Sequence, residues 1–140
     1  FNHWMQINAA KAMGLKADHL FASAHVGFPM RRAVMASLYA RHPDLFSRNA
    51  SHRFRDLSQF LPQALHNHQC LLSNNAVVLD DRDYIHIPSG AGTDGTGDAV
   101  RRDLRRATTP EIKFLCINDL PQLESIIPDA RDWIVRATGA

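Results

Sequence analysis

Cysteine is scarce in this chain of 140 residues. Cys70 and Cys116 are its only two, and neither belongs to a CxxC pair or a framework spacing. That excludes a disulfide-stapled secreted scaffold and a thiolate zinc centre, and it fits free, packed thiols in a reducing compartment. Long hydrophobic runs are also missing: no stretch approaches the roughly 18 to 20 apolar residues a bilayer-spanning helix needs. The start, Phe1 to Gln6, has no basic flank and no apolar stretch, so it does not read as a signal peptide. It also has no initiator Met, and the chain is expected to begin inside a longer protein. Net charge of one sign is small, +2, too little to argue for nucleic acid. There is no internal repeat, no nucleophile elbow and no Cys–His pair placed for nucleophilic chemistry.

What is present is a hydrophobic content of 45%, enough for one modest domain with a core, expected to span residues 1–140. Trp4, Met5, Ala9, Ala12 and Met13 recur at helical spacing, and Gly14 stands where such a helix stops. An extended piece over residues 20–26 then delivers His25 just before Gly27, Phe28 and Pro29, and Pro29 reads as the first residue of a helix. Met30, Val34 and Leu38 form its buried stripe, and His42-Pro43-Asp44 breaks it. Leu57, Phe60, Leu61, Ala64, Leu65, His68, Leu71 and Leu72 give the clearest helical pattern, with Pro62 in its first turn or kinking it.

Asn74-Asn75 reads as a turn between that helix and two short strands, residues 76–79 and 84–87. Ser89 to Asp98 holds four glycines in ten residues and no lysine, a pattern for a flexible surface loop or, less simply, a phosphate cradle. After a short Arg-rich helix, residues 112–117 read as a buried strand. A helix with Leu123, Ile126 and Ile127 follows, split by Pro128 from a last one with Trp133 and Ile134. The expected class is helix-rich α/β, a small sheet flanked by helices.

Polar residues at the ends of elements are the candidates for chemistry. His25 precedes a helix start, where free N–H groups suit an anion and an imidazole could take a proton from a hydroxyl; the alternative is a structural histidine. Arg55 offers a fork of donors to a phosphate, or a surface pair with Asp56. Asn118 and Asp119 end a strand, where open α/β sheets bind ligands, and either hold donor or metal or simply cap a helix. His66-Asn67-His68-Gln69-Cys70 looks like a metal cluster, but on a helix the i and i+2 positions point about 200° apart. Asn49-Ala50-Ser51 matches a glycosylation sequon, without consequence in a cytosolic protein.

Taken in order, these residues resemble a known family. The stretch from Ala24 to Arg32, then His42-Pro43-Asp44-Leu45-Phe46, then Phe54-Arg55, resembles the third conserved region of the Stealth sugar-phosphate transferases of bacterial capsule and exopolysaccharide synthesis. Lys113 to Asp119 is similar to the fourth region, and Asn8 and Gly14 fall where that family tends to have them. Gly27 stands where the family usually has proline, and no acidic residue stands near Ser58-Gln59. The family's first two regions would precede Phe1, so the chain is expected to be the back part of a nucleotide-sugar-binding catalytic domain.

The resemblance implies transfer of hexose 1-phosphate from a nucleotide sugar, typically a UDP-sugar, to a hydroxyl of a glycan acceptor, with Mg²⁺ as cofactor. His25 would be the base, Arg55 would bind the transferring phosphate, Asp119 and Asn118 would contact donor or metal, and Arg32 would assist substrate binding. His25, Arg55 and Asp119 would then converge on one pocket. The implied location is the cytoplasm, at most peripheral to the inner face of the membrane, with no nucleic-acid partner. Two other readings are an inactive remnant and a helical module that binds an acidic polymer through Arg31, Arg32, Arg101, Arg102, Arg105 and Arg106 on one continuous face.

Overall fold

The computed structural model describes residues 2–16, 21, 23, 26–78 and 83–139. Their contacts divide them into two compact units, one from residues 2–23 and 28–78 and the other from residues 26–27 and 83–139. Seven helices and one two-stranded parallel sheet are present among the described residues, as a helix-rich α/β chain requires. Among the described residues no helix is long and apolar enough to cross a membrane.

The first unit is all-helical: α1 (Asn2–Ala12), α2 (Arg32–Arg41), α3 (Pro43–Ala50) and α4 (Pro62–Leu72). Gly14, at φ +74°, ends α1 in the left-handed conformation glycine adopts without strain. Pro43 sits at the start of α3, so α2 must stop at Arg41 and the chain turns at His42. Pro62 likewise opens α4 rather than kinking it, and Leu57, Phe60 and Leu61 belong to the approach instead of the helix. Ala9, Leu38, Phe60, Ala64 and Leu65 form the core, with Val34, Leu45 and Phe46 packed around them.

The helix expected from Pro29 begins three residues later. Arg31 is extended (ψ 116°) and its N–H donates to Nε2 of His66 at 2.9 Å, so the chain is tied to α4 before it can coil. Met30 is consequently exposed, while Val34 and Leu38 turn inward as expected. His68, wholly buried, makes a related tie: its Nδ1–H donates to the carbonyl of Ala64 at 2.6 Å, and its Nε2 accepts the N–H of Phe21 at 3.4 Å. Ser23 adds another, donating its N–H to Oε1 of Gln6 at 2.7 Å. The two histidines are therefore structural acceptors and not metal ligands. The extended piece over residues 20–26 lies largely outside the described residues.

The second unit contains β1 (Tyr84–Ile87), α5 (Gly97–Ala107), β2 (Phe114–Ile117), α6 (Leu120–Ile126) and α7 (Ala130–Thr138). β1 and β2 pair in parallel, His86 opposite Cys116, with α5 as the crossover. Ile85 and Ile87 alternate inward and meet Val100, Leu104, Leu123, Ile127 and Ala130 in the core. Two strand expectations are corrected. Residues 76–78 are irregular, with Val77 and Val78 exposed, so they bury no face that a strand would need; Leu79 lies outside the described residues. The run from residue 112 forms a strand only from Phe114, itself exposed, because a two-stranded sheet leaves each strand an edge. Pro128 divides α6 from α7 as anticipated, and Gly139 (φ +68°) closes α7.

Across the α5–α7 contact, Arg101 pairs with Asp129 at 2.8 Å and Trp133 Nε1–H donates to the same carboxylate at 3.0 Å. Those two hydrogen bonds, the Trp133 one foremost, hold the Asp129 carboxyl below its ordinary range. Arg105 and Arg136 lie over the Trp133 ring, 5.8 and 4.8 Å from its centroid.

Burial pushes the His68 pKa below its ordinary 6.5, and only the neutral ring can accept the Phe21 N–H. A depressed histidine pKa means that the unfolded chain binds the proton more readily. Its contribution is complete above the ordinary value and is lost as pH falls below it toward the folded value. Denaturant titrations between about pH 7 and pH 5 should show a shallower loss of stability in His68→Gln, which keeps an acceptor but does not titrate, than in the wild type. Equal slopes would contradict the assignment. Leu104→Ala, at a fully buried site, should cost about 2 to 5 kcal/mol in the same assay.

Candidate functional site

The carboxyl ends of β1 and β2 bring four polar side chains together. His86 is the outward residue between the buried Ile85 and Ile87, and parallel register sets it beside Cys116. Asn118 follows two residues after Cys116, its N–H continuing the ladder to the carbonyl of Ile87 at 3.1 Å. Its Oδ1 lies 3.2 Å from Nε2 of His86 and accepts from Cys116 Sγ at 3.8 Å. With the amide oxygen engaged by these donors, the Asn118 NH₂ group is left to donate outward. Asp119 caps α6, its Oδ1 accepting the N–H of Gln122 at 3.1 Å, while Oδ2 accepts the Ser89 hydroxyl at 3.2 Å. A carboxylate has about four acceptor positions, so two remain for a ligand. Helix cap and ligand contact are thus compatible roles for Asp119.

The glycine-rich segment forms the wall beside this edge, directly between β1 and the start of α5. The strand expected at residues 84–87 precedes it, as β1. The segment is also built rather than loose. Gly90 N–H donates to Oε1 of Gln122 at 2.6 Å, Gly92 N–H to Thr96 Oγ1 at 3.1 Å, and the Thr96 hydroxyl to Asp94 at 2.6 Å. Gly92 (φ +89°) packs so closely that a Cβ there would meet Ile126 Cγ2 at 3.2 Å and bring a strained backbone with it.

Among the described residues no group of three His, Cys, Asp or Glu side chains could cage a metal. Asp119 alone offers a hard oxygen donor with spare capacity, which suits Mg²⁺ held largely by substrate phosphates and water. Asn118, its oxygen engaged, fits contact with a phosphate or hydroxyl oxygen better than with a cation.

Two of the other expected site residues are part of the first unit. Arg32 is the exposed first residue of α2, and Arg55 lies exposed in the loop between α3 and α4, both in the first unit. Its neighbour Asp56 accepts from Ser58 through both its N–H (2.8 Å) and its hydroxyl (2.5 Å). His25 lies outside the described residues. The helix start that was to offer it free N–H groups is displaced to Arg32. Of the second arginine cluster, Arg101 and Arg105 are engaged on α7 through Asp129 and Trp133. Asn8 is structural, its Nδ2 donating to the carbonyls of Leu57 (2.7 Å) and Gln59 (2.8 Å). Asn49 in the sequon accepts the Phe60 N–H through Oδ1 at 2.7 Å.

His86 and Ser89 were not anticipated. Strand alternation marks His86 as the outward residue of its strand, but only the register between β1 and β2 sets it beside Asn118. Comparison with protein-family models, with curated proteins and with solved structures finds no match.

Asp119→Ala should cost about 0.5 to 2 kcal/mol through loss of the α6 cap, and Asp119→Ser, which can also cap, should recover most of it. Denaturant midpoints of the two variants test this. Gly92→Ala should lower the midpoint as well; a neutral result would contradict the close packing of the loop on α6.

Proposed function

We propose that the chain is part of an enzyme that transfers hexose 1-phosphate from a nucleotide sugar, in the first instance a UDP-sugar, to a hydroxyl of a glycan acceptor. The reading starts from the resemblance of two ordered stretches to Stealth transferases. The observation that supports it best is Asn118-Asp119 at the carboxyl end of a parallel strand pair, beside His86 and Ser89, since such edges are where α/β sheets hold their ligands.

In this reaction the acceptor oxygen attacks the β-phosphorus. A new oxygen–phosphorus bond forms, the bond from that phosphorus to the bridging oxygen breaks, and the nucleoside monophosphate leaves with the bridging oxygen. His25 takes the acceptor's proton. Arg55 pairs with equatorial oxygens of the transferring phosphoryl group, and Arg32 adds positive charge for the substrate. Asn118 donates from its amide NH₂ to a donor oxygen. Asp119 would hold Mg²⁺, which would supply charge neutralisation on the diphosphate. Most of the rate would come from positioning and charge stabilisation.

The protein expressed from its complete reading frame, given Mg²⁺, a panel of UDP-sugars and short glycan acceptors, should release UMP. His25→Ala should reduce that release by about two to four orders of magnitude, the usual contribution of a general base. Release of UDP instead would mean ordinary glycosyl transfer and would overturn the proposed chemistry.

A further inference from the structure

The first unit carries a pocket none of whose lining residues has been given a role in the transfer reaction. It lies where α3 meets the approach to α4, has a volume of about 370 Å³, and rests on the apolar side chains of Leu45 and Phe60. Its rim is made of Arg48, Asn49, Ser51, His52 and Ser58. That volume lies at the small end of ligand pockets, room for one compact organic molecule and not for a nucleotide sugar.

The hydrogen bonding covers acceptors at this end of α3. Helix α3 ends here, and a helix carboxyl end ordinarily presents carbonyl oxygens, which repel anions. Two of those carbonyls are already covered. The Arg48 carbonyl accepts from Ser51 through both its N–H (3.3 Å) and its hydroxyl (2.9 Å), and the Asn49 carbonyl accepts Nε2–H of Gln59 at 2.9 Å. The Asn49 side-chain oxygen is held by the Phe60 N–H at 2.7 Å, so its NH₂ group is the part left to donate. Arg48 is exposed and joins no ion pair among the described residues.

His52 is oriented by a short relay. The Ser58 hydroxyl gives its only proton to Asp56 (2.5 Å), whose carboxyl is held below its ordinary pKa range chiefly by that bond. Ser58 Oγ can therefore only accept from His52, 3.2 Å away, which fixes the proton on Nε2. A serine, a histidine and an aspartate are in contact here, yet the proton of Ser58 points to the carboxylate. The group positions an imidazole and activates no nucleophile.

We propose that this pocket binds a small organic oxyanion, a phosphate or carboxylate carried on a compact ring, with the ring on Leu45 and Phe60 and the anionic group facing Arg48 and the Asn49 amide. Binding here can be read without turnover. Amide NMR of the full chain, titrated with glucose 1-phosphate, glucuronate and neutral glucose, provides the test. Glucose 1-phosphate or glucuronate should produce saturable shifts at Arg48, Asn49, Ser51 and His52, the larger effect identifying phosphate or carboxylate as the preferred group. Arg48→Gln should weaken that binding about tenfold, the loss expected for one charge-assisted contact, and Arg48→Lys should recover part of it. Neutral glucose binding as well as the anions, an Arg48→Gln affinity equal to wild type, or no saturable shift with any of the three would each overturn the proposal. Failure to release UMP would leave this result untouched.

Discussion

A chain that crosses a helix without coiling or pairing into a sheet has no partner of its own for its backbone N–H groups. In the first unit two imidazoles of α4 supply the partners. Nε2 of His66 receives the Arg31 N–H and Nε2 of His68 receives that of Phe21, with Gln6 serving Ser23. These contacts decide where α2 begins, because Arg31 is bonded sideways before it can enter a helical turn. They also explain why two histidines two residues apart are both buried in a helix that lines an apolar core. The His68 ring must be neutral to accept, and burial favours that state.

The second unit is governed by close approach. Gly92 allows the loop after β1 to lie against Ile126 and Val100, and the loop's own hydrogen bonds to Gln122 and Thr96 hold it there. With the loop seated, Ser89 reaches Asp119, and the carboxyl edge of the parallel pair gathers His86, Ser89, Asn118 and Asp119. Asp119 caps α6 and still has acceptor capacity, so fold and chemistry share one side chain.

Much of the element layout was legible from punctuation. Gly14, Pro43, Pro62 and Pro128 act where backbone chemistry says they must. The strand end at Asn118-Asp119 and its helix cap could also be read, since a polar pair after an apolar run has few other uses. Pro29 misled because its fixed φ suits a helix start, whereas the actual start depends on a side chain 35 positions further on. Residues 76–78 of the expected strand are irregular because apolar content alone does not supply a partner strand. His86 escaped notice for a related reason: its neighbour Asn118 lies 32 positions away, and only the register between β1 and β2 brings the two together. The pocket at the end of α3 depends on carbonyls being covered by Ser51 and Gln59, which no periodicity encodes.

The proposed reaction differs from ordinary glycosyl transfer at one bond, and the fate of one atom separates them. With the β-phosphorus of the UDP-sugar labelled, the protein from its complete reading frame should deliver the label to the glycan acceptor as a sugar phosphodiester. Label that stays in released UDP, with an unlabelled glycan product, would contradict the account.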